Sequence, residues 1–210
     1  DLDLVTVPHH EPFTVARYDR ITGQENLNLA TLSLLNAKYL VSPNPLQVAG
    51  LREALRADGL WVYENLHALP WFYTAAEYLV EPDEDAALSR LVAAELDPRT
   101  KVIVESQPVG LGGTMSGNVA SDRIERLAYD PRAGRIDLLV ETDGPRLLVV
   151  SENYHPFWTA TVDGVSRPVI RANYVWKAVP LDAGRHQVSL RYHDPIAAVC
   201  RWLSLLGVGT

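Results

Sequence analysis

The sequence predicts a mainly β protein, in which an α+β N-terminal portion is followed by an antiparallel β-sandwich. Residues 1–106 alternate between segments with helical spacing of apolar residues and short runs of aromatic and β-branched residues. Residues 107–118 are glycine-rich and uncharged, which indicates a connection between two units. After residue 118, short apolar runs alternate with turn dipeptides such as Asp163-Gly164, a spacing typical of sandwiches.

In the N-terminal portion, helices and short strands are expected to alternate. Asn26 or Asn28 could cap a short helix that ends near residue 35, and the spacing of apolar residues predicts a second helix over residues 46–57. Carboxylates at residues 83–85 favour a third helix that continues to residue 95, because the N-terminal end of a helix attracts negative charge. The predicted strands are residues 13–18, 37–42, 60–63, 71–80 and 101–105.

In the C-terminal portion, seven strands are predicted, enough for two packed sheets. Residues 135–140 and 187–192 alternate polar and apolar side chains, as expected for a sheet with one solvated face. No helix is predicted between residue 118 and Pro195. The predicted strands are residues 118–129, 134–141, 145–151, 157–163, 166–170, 173–180 and 185–193.

Composition places the chain among ordinary globular proteins. Its 210 residues are 47% hydrophobic, which is enough for one substantial core or two small ones. The net charge of -7 and the absence of a basic run argue against a nucleic-acid partner. The lone Cys200 excludes an internal disulfide framework, and it is compatible with either side of a membrane.

These patterns divide the chain into an α+β subdomain over residues 1–106, a β-sandwich over residues 107–195 and an apolar tail over residues 196–210. The tail is shorter than the stretch of about 20 apolar residues that crosses a bilayer. Two interpretations of the tail stay open on composition alone. It is either a terminal element packed on the domain or the first part of a membrane helix with Arg201 and Trp202 at the interface.

Motifs for metal or nucleophilic chemistry are weak, so no metal, cofactor or catalytic residue is predicted. The adjacent His9, His10 and Glu11 point in opposite directions on an extended chain, and the carboxylates at 83–85 are explained by a helix start. The glycine-rich residues 110–117 lack the Lys-Ser/Thr ending of a phosphate-binding loop. A hydrolase therefore ranks last among the function classes.

Aromatic residues crowd the strands between residues 154 and 176. Their rings could stack on sugar faces, while a carboxylate or amide accepts hydrogen bonds from hydroxyls, although packing in the core is the more common role of such rings. The predicted glycan-binding residues are Tyr154, Trp158, Asp163, Asn173, Tyr174 and Trp176.

Three segments carry a resemblance to a known family. Residues 151–164, 171–180 and 183–192 contain a Tyr-His-Pro-Phe-Trp strand, a Val-Asp-Gly hairpin, an Arg-Ala-Asn turn and a Gly-Arg-His-Gln-Val strand. They resemble the C-terminal extracytoplasmic region of YfhO-like bacterial membrane proteins. The chain departs from the family pattern at Phe157, where the family usually has glycine, and at His193-Asp194.

The resemblance implies a location on the extracytoplasmic side of a bacterial cell membrane, just before a final membrane helix, and favours the membrane interpretation of the tail. YfhO-like proteins look like relatives of glycosyltransferases that use lipid-linked sugars, and their catalytic carboxylates lie outside this region. The expected function is therefore a non-catalytic accessory domain that helps to position a glycan or polymer acceptor. Its expected partners are the membrane portion of the parent protein and a glycan or lipid-linked sugar. The alternative is a structural module that docks on the membrane portion or on a protein partner.

Overall fold

The computed structural model describes residues 16–23, 28–93, 96–97 and 100–194. Within this part of the chain the helices are α1 (Ala16–Thr22), α2 (Leu29–Leu34) and α3 (Glu84–Val92). The strands in the N-terminal portion are β1 (Tyr39–Ser42), β2 (Leu51–Ala57), β3 (Leu60–Asn65), β4 (Phe72–Ala75), β5 (Glu77–Val80) and β6 (Lys101–Val104). They are followed by β7 (Arg123–Asp130), β8 (Arg135–Thr142), β9 (Arg146–Asn153), β10 (Trp158–Val162), β11 (Val165–Arg167), β12 (Ile170–Ala172), β13 (Trp176–Leu181) and β14 (Gly184–Tyr192).

The described strands form three sheets, which confirms the mainly β prediction. A small sheet has the order β1-β3-β2, a five-stranded sheet the order β11-β10-β14-β8-β7, and a six-stranded sheet the order β4-β9-β13-β12-β6-β5. All strand pairs are antiparallel except β5 with β6. The six-stranded sheet contains strands from both sides of residue 107, and the expected division into two domains stays a prediction.

The six-stranded sheet is the middle layer of the molecule. Leu147 and Val149 of β9 pack toward a core that includes residues of α1, α2 and α3, whereas Leu148 and Val150 pack against the five-stranded sheet. Strand β13 likewise contributes residues to both cores. Burial on both faces explains why residues 147–150 of β9 form a continuous apolar run rather than an alternating one.

Two predicted helices have the capping interactions that the sequence suggested. The Oδ1 atom of Asn28 accepts a hydrogen bond of 2.8 Å from the backbone N–H of Thr31, and Oδ1 of Asp83 accepts one of 2.8 Å from Ala86. Each bond satisfies a backbone donor that the first turn of a helix leaves free.

The helix predicted over residues 46–57 was wrong, because residues 51–57 form strand β2. Asp58 and Gly59, interpreted as a helix stop, adopt φ angles of 51° and 77° and connect β2 to β3. Two consecutive positive φ angles are the signature of a type I′ hairpin, and this turn geometry overrides the helical spacing of the leucines.

The strand predicted over residues 13–18 was also wrong where the structure describes it, since residues 16–18 begin helix α1. Ile21 of this helix is fully buried in the core, and Arg20 pairs with Asp85 on α3 at 2.7 Å. Tertiary contacts therefore stabilise a helix that local sequence does not indicate. Residues 13–15 and the tail over residues 196–210 lie outside the described residues.

Two predicted strands are each divided in the structure. Residues 71–80 form β4 and β5, which lie at opposite edges of the six-stranded sheet. Residues 166–170 contribute to β11 and β12, which belong to different sheets. Pro168 lies at the second break, where its missing N–H cannot support a ladder hydrogen bond.

Candidate ligand-binding cleft

An open cleft lies where the edges of the two large sheets meet. Strand β4 is an edge strand of the six-stranded sheet, and β7 is an edge strand of the five-stranded sheet. The cleft has a volume of about 340 Å³, at the small end of the range for small-molecule sites. Its lining residues are Leu69, Pro70, Phe72, Tyr73, Thr74, Val119, Asp122 and Ile124.

Asp122 is the acidic residue of this lining, and its side chain is only 2% exposed. Its Oδ2 atom accepts hydrogen bonds from Nε of Arg146 at 2.9 Å and from the hydroxyl of Thr74 at 2.7 Å. Its Oδ1 atom is buried and has no hydrogen-bond partner within the described part of the chain. A buried acceptor without a partner is uncommon in folded proteins and calls for a physical explanation.

Arg146 fixes the loop that carries Asp122. Its guanidinium donates hydrogen bonds to the carbonyl oxygens of Ser116 at 2.8 Å and Asn118 at 3.2 Å, in addition to Asp122. Arg146 is the first residue of β9, and its side chain is 2% exposed. The buried guanidinium therefore ties the glycine-rich connection to the middle sheet and holds one wall of the cleft.

Aromatic residues line the cleft or lie next to its lining residues in the chain. Phe72 lines it, and Trp71 lies in the chain between the lining residues Pro70 and Phe72. The rings of Trp71 and Phe72 both meet Tyr129 of β7 edge-on, with centroid distances of 6.1 and 6.4 Å. Trp71 is 41% exposed, so part of an indole surface is open to solvent beside the cleft.

The ionisable side chains of the lining are those of Asp122 and Tyr73. Asp122 is the sole carboxylate among the lining residues, and no histidine, lysine or cysteine accompanies it. The hydroxyl of Tyr73 accepts a hydrogen bond of 3.0 Å from Asn173, and burial raises the pKa of Tyr73 above its ordinary value.

Three of the six predicted glycan-binding residues are buried in the core beneath the helices. Asn173 is fully buried, and its side-chain oxygen accepts a hydrogen bond of 3.0 Å from the backbone N–H of Ile103. Trp176 donates its indole N–H to the carbonyl oxygen of Leu34 at 2.9 Å, and Tyr174 contacts Glu84 at 3.0 Å. These interactions connect the β12–β13 turn to its neighbours.

The other three predicted residues have separate neighbours. The ring of Tyr154 lies under the guanidinium of Arg171, with 4.4 Å from the Arg171 Cζ atom to the ring centroid. Asp163 lies in the β10–β11 turn, and its hydrogen bond of 2.7 Å to His186 lowers the pKa of Asp163 below its ordinary value. The ring of Trp158 packs against that of Tyr192, with 5.4 Å between the ring centroids. The six predicted residues therefore lie in several separate environments and do not together line one groove.

A buried lysine accompanies Trp158. The side chain of Lys177 is 0% exposed; its Nζ atom pairs with Glu152 and lies 3.6 Å from the centroid of the Trp158 ring. Burial lowers the pKa of Lys177 from 10.5 to about 8, in spite of the pairing with Glu152. The Trp158 ring therefore makes a cation–π interaction with the buried Lys177.

The small sheet presents a second surface of interest, which we call the apolar face. It consists of Tyr39, Val41, Leu55, Leu60 and Val62, which the strand register places on the same side of the sheet as the ion pair between Arg52 and Glu64. Tyr39 is 60% exposed and Leu55 is 58% exposed, whereas Leu40 and Tyr63 on the opposite side are buried. The apolar face therefore points away from the body of the protein.

Sequence reasoning missed Trp71, Thr74 and Asp122. Trp71 is the first residue of the strand predicted over residues 71–80, and its local sequence does not distinguish an exposed ring from a packed one. Asp122 follows the glycine-rich connection, and nothing in its local sequence distinguishes it from a surface carboxylate. Its importance depends on Arg146, which lies 24 residues away.

The described residues include no group of three or more His, Cys, Asp or Glu side chains that could hold a metal ion. None of the described helices has the length and hydropathy needed to span a membrane. Comparisons of the chain with family models, curated proteins and solved structures give no match. The YfhO-like resemblance stays a prediction.

Proposed function

We propose that this chain is a non-catalytic accessory domain that positions a glycan or polymer acceptor for a polytopic membrane protein. In this proposal the parent protein resembles glycosyltransferases that use lipid-linked sugars, and the domain lies on the extracytoplasmic side of a bacterial membrane. The observation that carries the proposal is the cleft between β4 and β7, where a carboxylate and aromatic rings meet without a second acid or base.

The chemistry of the cleft supports recognition of a polar ligand with apolar surfaces. Carboxylate oxygens accept hydrogen bonds from hydroxyl groups, and exposed aromatic rings pack against the apolar faces of a ligand. Binding sites commonly combine an apolar lining with a small number of placed polar groups. Chemistry would then be supplied by the membrane portion of the parent protein, which is also the proposed partner of this domain.

The proposal is tested in the parent protein. Its sugar-transfer activity should be measured in membranes with the domain present and after its deletion, over a range of acceptor concentrations. We expect deletion to raise the KM for the acceptor with a smaller effect on kcat, because the domain contributes to binding and not to the chemical step. Unchanged transfer and unchanged acceptor preference would contradict the proposal.

The apolar face favours a second candidate function, a contact module that docks on the membrane portion or on a protein partner. Contiguous exposed apolar surface often marks an interaction site. Exchanging both Tyr39 and Leu55 for lysine should abolish docking without loss of thermal stability, since both side chains are more than half exposed. If sugar transfer and membrane association are the same with this double variant, the contact function is wrong.

A further inference from the structure

We infer that the cleft between β4 and β7 is a binding site for an uncharged sugar unit, with Asp122 as hydrogen-bond acceptor and Trp71 as stacking surface. The inference rests on the proposed function, since it assigns the glycan site to particular residues. The inferred site is the cleft, whose lining includes none of the six glycan-binding residues predicted from the sequence.

The carboxylate of Asp122 selects for a hydrogen-bond donor. Its Oδ2 atom already accepts two hydrogen bonds, from Arg146 and Thr74, whereas Oδ1 is buried without a partner among the described residues. A ligand hydroxyl that reached Oδ1 would satisfy it and remove the cost of an unpaired buried acceptor. Asp122 and its hydrogen-bond partner Thr74 both belong to the lining of the cleft, so this carboxylate lies at the cleft wall.

Charge distinguishes between classes of sugar. Arg146 neutralises Asp122 but directs its guanidinium N–H groups to Asp122 and to backbone carbonyl oxygens, including those of Ser116 and Asn118. The lining contains no arginine, lysine or histidine that could pair with a phosphate or uronate. A free carboxylate oxygen and a net charge of -7 repel an anionic ligand. An uncharged glycan is therefore the expected ligand class.

The aromatic residues at the cleft supply the complementary apolar contact. The axial C–H groups of a pyranose form a flat apolar surface, and Trp71, a residue that is 41% exposed, offers a ring to match it. Edge-on packing of Trp71 on Tyr129 fixes the orientation of this ring before a ligand arrives. A preorganised ring loses little conformational entropy on binding, which favours affinity.

The test is isothermal titration calorimetry of the 210-residue chain with neutral tetrasaccharides built from glucose, mannose or N-acetylglucosamine. An oligogalacturonate of the same length serves as the anionic probe. We expect at least one neutral tetrasaccharide to bind and the oligogalacturonate not to bind. Trp71→Ala should lower the affinity for the neutral ligand by about tenfold, because one ring contact is lost.

The matched control is Trp61→Ala. Trp61 is also partly exposed, but it lies in the small sheet with its ring under Arg56, so its loss should leave the affinity unchanged. Val119→Trp should abolish binding by filling the cleft from the loop, with Arg146 and Asp122 still paired. Asp122→Asn is a further variant. If Asp122→Asn fails to fold, Trp71→Ala and Val119→Trp still test the site.

The outcomes separate the inference from the proposed function. If the chain binds a neutral tetrasaccharide and both Trp71→Ala and Val119→Trp bind it with wild-type affinity, the location is wrong while the accessory function stands. Preferential binding of the oligogalacturonate would overturn the inferred ligand class. A chain that binds no tetrasaccharide would overturn the inference, and unchanged transfer after deletion of the domain would in addition overturn the proposed function.

Discussion

Replacing Lys177 by methionine tests how the interior of the sandwich accommodates a buried ammonium group. The Lys177 side chain is fully buried, pairs with Glu152 and lies 3.6 Å from the centroid of the Trp158 ring. These partners favour the charged form, but desolvation outweighs them and lowers the pKa from 10.5 to about 8. Methionine has a similar length and no charge, so the substitution keeps most of the packing.

The sign of the pH dependence follows from where the proton is held. Between pH 8 and 10.5 the unfolded chain retains the Lys177 proton while the folded chain loses it, so the free energy of unfolding rises with pH. The full difference between the two pKa values corresponds to about 3 kcal/mol, most of it reached by pH 10. Below pH 8 none of this increase is present, because both states are protonated.

Urea unfolding at several pH values between 7 and 10, followed by tryptophan fluorescence, measures this effect. Relative to Lys177→Met, the wild-type protein should become more stable by about 2 to 3 kcal/mol from pH 7 to pH 10. The control is Lys101→Met, because Lys101 is partly exposed where it pairs with Glu77 at 3.2 Å. A constant difference between the wild type and Lys177→Met across this range would refute the reasoning.

Other substitutions test the fold. Arg146→Met leaves the buried Asp122 without its ion-pair partner, with the hydrogen bond from Thr74 remaining. It should therefore cost about 3 to 5 kcal/mol in urea unfolding and accelerate amide hydrogen exchange at residues 116–118; exchange at the wild-type rate would contradict the role of Arg146 in holding this loop. Asp83→Ala should cost about 1 kcal/mol in thermal unfolding through loss of the α3 cap. Gly59→Val should cost about 1 to 3 kcal/mol, because φ is 77° at this position, and a neutral result would count against the hairpin geometry.

Much of the fold is predictable because its signals are local. Asp163 and Gly164 have φ angles of 52° and 80°, as the turn dipeptide in the sequence indicates, and the strands on either side pair antiparallel. The carboxylates at the start of α3 likewise act within one turn of helix. Local signals fail for β2, which is exposed along most of its length, since leucines spaced for a helix also fit a solvated hairpin.

The cleft depends on contacts that are distant in sequence. Strands β4 and β7 meet as edges of different sheets, and their proximity follows from the pairing of β4 with β9 and of β7 with β8. The predicted aromatic residues show the same limitation. Asn173 and Trp176 have side chains of the kinds that bind glycans. Their burial against Ile103 and Leu34 is decided by the tertiary packing of the six-stranded sheet and α2.

The central claim is that this domain recognises a sugar without transforming it. The most direct measurement titrates the purified chain with neutral tetrasaccharides by calorimetry and then analyses the recovered saccharide by mass spectrometry after prolonged incubation. We predict saturable binding of at least one tetrasaccharide, recovered intact. Recovery of shortened or extended saccharides would contradict the claim by revealing catalysis, and the absence of heat for every tetrasaccharide at millimolar concentration would contradict it by removing recognition.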